Sequence, residues 1–423
     1  MLTREDNELI THTGPGTPMG ELFRRFWLPA LLPSELPEPD CAPIRLRIMS
    51  EDLVAFRDSS GRVGVVSSFC PHRRAPLFFG RNEEGGLRCV YHGWKFNTEG
   101  ACVDMPSEPA ESSFKDKVSL KAYPTREWGG VVWIYMGPAE HMPELLPRME
   151  WALLPAEARS VGKSLQECNW LQVMEGDIDT AHISYLHGGR PPGVPKPTSA
   201  TGAVDGAPRL TVIDDDIGYA YSGRRNMPDG SYYWRVTRFV LPMYAFIPQS
   251  DWPRACTGTV PIDDYHSWRW AFFFNAVGGS PNRFGPGGGM PRQTGQYTLG
   301  DGTVIDAVLP PQTKANSYMI DREVQRTKTY TGIQGIGMQD RAMTEGMGSI
   351  CDRAEEHLGT TDVAIIAARR RLIKMARDLQ DGLEPYAATH GEQYTVRSLD
   401  AVSPIAELET ILTAFSKELL APV

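Results

Sequence analysis

The chain has 423 residues, which suggests two or three domains at roughly 150 residues each. Its apolar share of 41% allows substantial cores, and no segment has the roughly 18 uncharged apolar residues that a membrane span needs. The net charge of −9 is spread along the chain, which argues against nucleic acid as the main partner but leaves room for a docking electron-transfer protein.

The N-terminus and the cysteines indicate a cytoplasmic protein without a disulfide framework. Residues 1–6 lack the basic-then-apolar order of a signal peptide. Seven cysteines are an odd number in such a chain, so we do not expect paired disulfides. Five of them have no metal-ligand spacing and are interpreted as free thiols: Cys41, Cys102, Cys168, Cys256 and Cys351.

The first half of the chain predicts a small antiparallel β domain. Short β-rich runs at 53–56, 63–66 and 130–135 are separated by Gly and Pro. The proline-containing stretch 138–165 indicates the crossover to a second region.

A second β-rich region is predicted at 208–277. Its clearest strand is 264–275, where Trp268, Trp270, Phe272 and Phe274 alternate on one face. The Gly- and Pro-rich segments 188–206 and 278–302 are typical of lids or assembly arms.

The last third of the chain predicts helices. Apolar residues from Ile365 to Leu379 recur at three- and four-residue steps. Ser403 and Pro404 suggest the cap and first turn of a final helix. The glycine run at 285–289 follows no strand-to-helix turn, so the sequence has no evident flavin or nicotinamide site of its own.

Two short motifs supply candidate ligands for a metal cluster. Cys70-Pro71-His72 and Cys89-x-x-His92 each offer one sulfur and one nitrogen ligand. Two thiolates and two imidazoles are what a [2Fe–2S] centre needs when His replaces Cys on one iron. A Cys₂His₂ zinc site is the alternative, although zinc sites more often pair like residues in each loop.

A second constellation lies downstream. It has the pattern E-x₃-D-x₂-H-x₄-H, from Glu175 to His187. Two histidines, His182 and His187, converging from a helix and its end, form with one carboxylate the facial triad of non-heme Fe(II) oxygenases. Taken alone, the pattern also fits a polar helix face.

The motifs C-P-H-R and C-V-Y-H-G-W-K-F resemble the Rieske domain of ring-hydroxylating oxygenases, with Arg74 where many relatives have Gly. The resemblance implies that Cys70, His72, Cys89 and His92 hold a Rieske [2Fe–2S] cluster and that His182 and His187 hold mononuclear Fe(II). It implies Asp340 as the third iron ligand, with Asp352 and Asp362 as alternatives.

The resemblance also assigns a catalytic role to Asp179. Its counterpart hydrogen-bonds the second Rieske histidine of one subunit, here His92, and an iron-site histidine of the neighbour, here His182. Such a carboxylate orients its imidazoles and offers the electron a short route. The geometry requires a head-to-tail ring, so we expect a homotrimer or stacked trimers. Asn169 and Tyr185 are candidates for lining the site or for packing.

We therefore predict an α+β fold with a small antiparallel-β Rieske domain and a larger catalytic domain whose antiparallel sheet is flanked by helices. The expected boundaries are 1–45 for a segment that packs with the catalytic domain, 46–140 for the Rieske domain and 141–423 for the catalytic domain.

The opening segment 14–29, with 79–88 and 103–109, resembles the phthalate dioxygenase branch of the family. That implies an FMN/2Fe–2S, NADH-dependent reductase as electron donor, O₂ as co-substrate, an aromatic carboxylate as substrate and a cis-dihydrodiol as product. An anionic substrate needs a cation that can hold a carboxylate bidentately. The candidates are the arginines of the predicted sheet region: Arg209, Arg224, Arg225, Arg235 and Arg238. Arg209 and Arg235 are preferred. Arg235 and Arg238 should lie on opposite faces of one strand, so at most one of them faces the pocket.

Two other functions remain open on the sequence alone. A monooxygenase or O-demethylase acting on a methoxy- or phenoxy-substituted aromatic acid would use the same metals. A Rieske electron carrier would need only the first site.

Overall fold

The computed structural model describes residues 2–188, 205–249, 251–281 and 293–421. The predicted lid or arm at 188–206 lies almost entirely outside these ranges. Residues 282–292 of the second predicted lid or arm, 278–302, also lie outside them. No helix within the described ranges is both long and apolar enough to cross a membrane.

The N-terminal segment packs against the larger region of the chain. It contains helices α1 (Arg4–Thr11) and α2 (Pro18–Arg24) and strand β1 (Trp27–Leu31). Both helices begin after a threonine whose hydroxyl accepts a backbone N–H of the first turn, which satisfies a donor that the helix leaves free. The ring of Phe23 meets Trp170 edge-on at 4.8 Å between centroids.

Short antiparallel strands form the small β region that the sequence predicted. They are β2 (Ile44–Ile48), β3 (Glu51–Arg57), β4 (Val63–Ser67), β5 (Arg81–Glu83), β6 (Gly86–Arg88), β7 (Lys95–Phe96), β8 (Cys102–Asp104), β9 (Ala122–Tyr123), β10 (Thr125–Trp128) and β11 (Val131–Tyr135). One sheet has the order β2-β3-β4-β9 and a second has β5-β6-β7-β8, while β1, β11 and β10 form a third. The strands predicted at 53–56, 63–66 and 130–135 are confirmed.

An antiparallel sheet with helices around it forms the larger region. Its elements, in chain order, are α3 (Glu150–Leu153), β12 (Arg159–Gln166), α4 (Trp170–Ile178), β13 (Arg209–Asp215), β14 (Gly218–Asn226), β15 (Tyr232–Val240), β16 (Tyr244–Ile247), β17 (Arg254–Pro261), β18 (Ser267–Phe274), β19 (Gln293–Thr298), β20 (Val304–Leu309), α5 (Arg322–Thr327), α6 (Ile336–Gly346), α7 (Val363–Gln380), α8 (Tyr386–Thr389), β21 (Leu399–Ser403) and α9 (Leu408–Ala414). The main sheet has the order β12-β18-β17-β16-β15-β14-β13, and β21 pairs with β15.

The hydrophobic pattern identified the core elements of this region. In β18, all four alternating aromatics from Trp268 to Phe274 are at most 1% exposed, as one buried sheet face requires. In α7 the buried stripe is Ala368, Leu372, Ala376 and Leu379. The α+β fold with one small and one larger antiparallel region is as predicted.

Two local predictions were wrong. Residues 293–298, expected to be irregular, form β19, which pairs with β20 in a hairpin. Ser403 ends strand β21 instead of capping a helix, and the last helix begins at Leu408. Pairing with the neighbouring strand β20 in the first case, and with the distant strand β15 in the second, outweighs the local Gly, Ser and Pro signal.

Candidate functional site

Two loops of the small β region have the same backbone conformation. In each, the cysteine N–H donates to the carbonyl five residues later, and the N–H four residues later donates back to the cysteine carbonyl. The bonds are Cys70 N to Ala75 O (2.9 Å), Arg74 N to Cys70 O (2.9 Å), Cys89 N to Trp94 O (2.8 Å) and Gly93 N to Cys89 O (2.9 Å). The C-P-H and C-V-Y-H motifs are therefore equivalent loops facing each other.

Arg74 occupies a backbone position that favours glycine. Its φ is +60°, and its counterpart Gly93 has φ +81°. A non-glycine residue in this left-handed region costs on the order of 1–2 kcal/mol. The departure from the usual glycine thus strains the loop backbone without removing a ligand, and the Arg74 guanidinium lies 4.7 Å from the Phe69 ring centroid.

The four candidate cluster ligands divide into an inner and an outer pair. Cys70 and Cys89 are buried, at 2% and 3% exposure, whereas His72 is exposed and His92 half-buried. The two imidazoles lie side by side, with centroids 4.4 Å apart. Burial, with the nearby thiol of Cys89, raises the pKa of Cys70 to about 11.

This donor set fits a Rieske cluster. Paired thiols inside and paired imidazoles at the surface match a centre with two sulfur ligands on one iron and two nitrogen ligands on the other. Without metal the Cys70 thiol stays protonated, and a bound iron stabilises the thiolate form. Trp94 stacks on His72 at 4.4 Å and 10° and fixes the orientation of that ring.

Three side chains converge at a second site in the larger region. Ligand atoms of His182, His187 and Asp340 all lie within 4.8 Å of one another, the one such group among the described residues. The two Nε2 atoms are 3.2 Å apart, and Asp340 Oδ1 is 3.6 Å from His182 Nε2 and 3.2 Å from His187 Nε2. Ligands about 2.1 Å from one ion at right angles are about 3 Å apart, so the spacing fits one metal ion.

Local helix termination positions the histidines. Helix α4 ends at Ile178, and Asp179 is its C-terminal cap. His182 lies in the following 3₁₀ turn, His182–Ser184, and His187 comes just after it. The prediction that the histidines converge from a helix and its end was wrong in detail, because both lie beyond α4. Asp340 reaches them from α6.

Each imidazole is held from behind by a second polar group. His182 Nδ1 lies 3.2 Å from Asp179 Oδ2, and His187 Nδ1 lies 2.7 Å from Gln339 Oε1. Gln339 Nε2 donates to the carbonyl of Ile333 at 2.9 Å, so its oxygen must face the imidazole. Both contacts leave the Nε2 lone pairs free for a metal.

The electrostatics of this site favour ionised carboxylates. Burial raises the pKa of Asp340, but hydrogen bonding and charge interaction with His187 and His182 bring it below the usual value. Burial likewise opposes ionisation of Asp179, and its bond to His182 lowers its pKa overall. For His182, burial lowers the pKa, yet Asp179 and Asp340 raise it above the usual value.

The alternative third ligands lie elsewhere. Asp352 is exposed and accepts the N–H of Ala354 at 3.0 Å. Asp362 accepts the N–H of Gly359 at 2.6 Å in the turn before α7. Of the three candidate carboxylates, the structure brings only Asp340 to the histidines.

Asn169 and Arg209 are engaged away from the metal-ligand group. Asn169 is fully buried and caps α4: its Oδ1 accepts the N–H of Leu171, and its Nδ2 donates to the carbonyls of Thr11 and Asp264. These bonds engage every polar atom of its side chain and make Asn169 the cap of α4, and its catalytic role stays a prediction. Arg209 lies on the outermost strand β13 and pairs with Asp205 at 2.9 Å. Arg235 differs from Arg209 in that it lies near enough to the metal-ligand group for its positive charge to lower the pKa of His182.

Glu175, the first residue of the downstream motif, anchors helix α4 through ion pairs. Its carboxylate lies 2.9 Å from Arg353 Nη2 and 2.6 Å from Arg369 Nε. Burial alone would raise the pKa of Glu175, but the two arginines hold it below the usual value. Arg353 has zero exposure and no other carboxylate partner among the described residues.

The substitution Glu175→Ala is expected to lower the free energy of unfolding by about 3–5 kcal/mol, because it leaves the Arg353 charge buried and unpaired. The control Glu323→Ala removes an exposed pair with Arg326 and should cost at most about 1 kcal/mol. Denaturant titration of the two variants measures the difference. Equal stability would show that the buried pairs do not hold α4.

Comparison with known proteins matches both regions of the chain to known families. Residues 26–124 match the Rieske [2Fe-2S] domain family and residues 134–410 match the LigXa C-terminal domain like family. The chain is 41% identical to the phthalate 4,5-dioxygenase oxygenase subunit of Pseudomonas putida over 90% of this chain and 88% of that protein. It is 40% identical to the 3-chlorobenzoate-3,4-dioxygenase oxygenase subunit of Comamonas testosteroni, covering 93% of each. It is 33% identical to the 5,5'-dehydrodivanillate O-demethylase oxygenase subunit of a Sphingobium species, over 92% of this chain and 83% of that protein.

The two donor sets and these matches define an oxygenase subunit with a Rieske [2Fe–2S] cluster and a mononuclear iron. Within that class, the chain belongs to the phthalate 4,5-dioxygenase-like branch of the Rieske non-heme iron oxygenases.

Proposed function

We propose that this chain is the oxygenase component that hydroxylates an aromatic carboxylate with O₂ and electrons from an NADH-dependent FMN/2Fe–2S reductase. The observation that carries the proposal is the convergence of His182, His187 and Asp340. Three ligands on one side of an ion leave positions open on the other side for O₂. A Rieske electron carrier has no use for such a site.

In this proposal Cys70, His72, Cys89 and His92 hold the cluster, and His182, His187 and Asp340 hold the iron. When bound, the cluster passes single electrons and the iron binds and activates O₂ beside the substrate. Residues 46–140 would form the domain of the first site and 141–423 that of the second, with 1–45 packed on the latter. We also propose a cytoplasmic location.

The protein's own residues keep the second site ready for an ion. Asp179 and Gln339 hold the two imidazoles with Nδ1 facing away from Asp340, so both Nε2 atoms stay available. Arg269, whose charge acts on Asp340 and which pairs with Asp177 at 2.5 Å, helps to keep the Asp340 carboxylate ionised.

A head-to-tail trimer, or stacked trimers, completes the proposed electron route. His92 is half-buried and directly follows two residues that expose apolar side chains. Phe79, Val90 and Tyr91 are 62%, 57% and 54% exposed, which suits a surface that another subunit covers. In the trimer, His92 of one subunit would meet Asp179 of the next.

Two relatives support an acidic aromatic substrate, since their names specify phthalate and 3-chlorobenzoate. For a phthalate-like ring the proposed product is a cis-dihydrodiol. The O-demethylase relative favours a second candidate, monooxygenation of a methoxy-substituted aromatic acid, which uses the same metal sites.

A product screen tests the proposal. The oxygenase is incubated with NADH, O₂ and such a reductase, and with phthalate, 3-chlorobenzoate or a methoxybenzoate in turn. A dihydrodiol from phthalate supports dioxygenation. So does a dihydrodiol from 3-chlorobenzoate, or a dihydroxybenzoate with released chloride if the oxygens add at the chlorinated carbon. A phenol plus formaldehyde from the methoxybenzoate supports demethylation. If none of the acids is oxidised, the proposed substrate class is wrong.

The cluster assignment predicts a spectroscopic loss. His72→Ala or Cys89→Ala should abolish the Rieske absorption and the electron paramagnetic resonance signal of the reduced protein, because each iron needs both of its protein ligands. Cys102→Ala is a matched control, since Cys102 is a buried thiol close enough to Cys70 to affect its pKa. A full signal in either ligand variant contradicts the assignment.

A further inference from the structure

A row of aromatic rings crosses the surface that holds the two cluster histidines. Its ring contacts, given as distances between centroids, are Tyr91 with His92 at 4.0 Å, His92 with His72 at 4.4 Å, His72 with Trp94 at 4.4 Å and Trp94 with Phe114 at 6.0 Å. The two histidines form the middle of this row, and each has a further ring on its outer side. The row therefore leads away from the cluster site in two directions.

The two ends of the row have different surroundings. The Tyr91 end belongs to the apolar surface that the proposed trimer covers, where His92 would face Asp179 of the next subunit. The other end of the row, beyond His72, is Phe114, whose side chain is 45% exposed. Because the first end serves to pass electrons on, the second end is the one left for an electron donor.

Trp94 joins His72 to the exposed ring and is fixed on several sides. It is 3% exposed, its plane lies 10° from that of His72, and its Nε1–H donates to Ser107 Oγ at 3.0 Å. Phe114 meets it edge-on at 73°, an arrangement that aromatic rings favour. Since electron transfer slows steeply with distance, a partner that contacts Phe114 gains a short and rigid path to His72.

The Phe114 end of the row is also positively charged. It borders two segments, residues 71–75 of the first cluster loop and the 3₁₀ turn Phe114–Lys117. The charged side chains of these two segments are all exposed: Arg73, Arg74, Lys115, Asp116 and Lys117. Four cations and one anion give the two segments a net charge of +3, whereas the whole chain carries −9. An acidic partner surface is therefore attracted to this place and not to the chain as a whole.

We infer that Phe114, Lys115 and Lys117 form the docking surface for the iron–sulfur domain of the reductase, so that electrons enter the Rieske cluster from the His72 side. The partner surface that fits has an apolar centre to cover Phe114 and an acidic rim to face the lysines. One electron leaves the reduced [2Fe–2S] centre of the reductase and enters the Rieske cluster, and no bond forms or breaks. Entry and exit then lie at opposite ends of the ring row. This inference rests on the proposed function and names the place where its electron donor binds.

Stopped-flow reduction of the oxidised oxygenase tests the docking surface. The reductant is the FMN/2Fe–2S reductase, itself reduced with NADH, without O₂ or substrate, and the change in Rieske absorption gives the bimolecular rate constant. Phe114→Ala should lower that constant about 5- to 30-fold, as expected for truncating a central aromatic contact. Lys115→Glu combined with Lys117→Glu should lower it about 10-fold at low salt and remove most of its salt dependence, because opposite charges speed the encounter.

Controls separate docking from damage to the cluster. Dithionite, a small reductant that needs no docking surface, should reduce all variants at the wild-type rate, and their midpoint potentials should be unchanged. Reoxidation with phthalate and O₂ should also match the wild type, since electrons leave at the other end of the row. Tyr265→Ala and Lys417→Glu change an aromatic side chain that is 53% exposed and an exposed lysine outside this surface, and the reductase should reduce both like the wild type.

The outcomes distinguish this inference from the proposed function. Wild-type rates with the reductase in both Phe114→Ala and the double lysine variant overturn the docking surface and leave the proposed function standing. A variant that is equally slow with dithionite also overturns it, because the change then lies at the cluster. If the wild-type protein is reduced by dithionite but not by the reductase, the proposed electron donor is wrong and the docking surface is overturned with it.

Discussion

Replacing Asp340 with alanine should abolish product formation while leaving the Rieske spectrum unchanged. Asp340 Oδ1 is the acidic atom that lies within 3.6 Å of both histidine Nε2 atoms. Changes to residues that only orient metal ligands already cost about 10- to 100-fold in activity or metal affinity. Loss of a ligand should therefore cost at least about 100-fold, measured as product formed per oxygenase chain with saturating reductase.

The control for this prediction is Asp352→Ala, which removes an exposed carboxylate from the same part of the sequence. It should keep wild-type activity. Retained activity and retained mononuclear iron in Asp340→Ala would contradict the assignment and move the third ligand to another carboxylate.

Asp179→Asn should slow electron transfer from the cluster to the iron by at least about 10- to 100-fold. One oxygen of Asp179 accepts the N–H of Ala181 at 2.6 Å, and the other lies 3.2 Å from His182 Nδ1. The carboxylate is thus fixed in place, and its side chain is still 23% exposed for a neighbouring subunit's His92. The amide keeps the shape but removes the charge that stabilises His182 and, in the proposed trimer, would stabilise His92 of the neighbour.

Stopped-flow single turnover measures this effect directly, as reoxidation of the reduced cluster after mixing with substrate and O₂. The variant should keep its Rieske spectrum and its assembly. Asp214→Asn, at a side chain that is 75% exposed, should reoxidise like the wild type. Normal reoxidation with lost mononuclear iron would make Asp179 an iron ligand, and normal activity would make it a simple surface charge.

The metal-ligand motifs could be predicted from the sequence because they are local. Cys70 with His72 and Cys89 with His92 each come from one short loop, so spacing alone limits their geometry. His182 and His187 are only five residues apart, so their spacing limits their geometry in the same way. Asp340 needed the family resemblance, since it reaches the histidines across more than 150 residues of intervening chain.

The polar groups around the ligands could not be predicted in this way. Gln339 contacts His187 from an element that is distant in sequence, and no periodicity marks it. Asn169 was a candidate for lining the site or for packing, and the structure shows it as the cap of α4, a contact that its position before the helix explains. Ser403, predicted to cap a helix, ends strand β21 instead.

Iron and acid-labile sulfide per chain test the central claim most directly. An oxygenase with both sites should contain about three irons and two sulfides per chain, and Asp340→Ala should contain about two irons with the same sulfide. Two irons in wild-type protein with a full Rieske spectrum, under conditions that supply excess Fe(II), would contradict the account and leave an electron carrier.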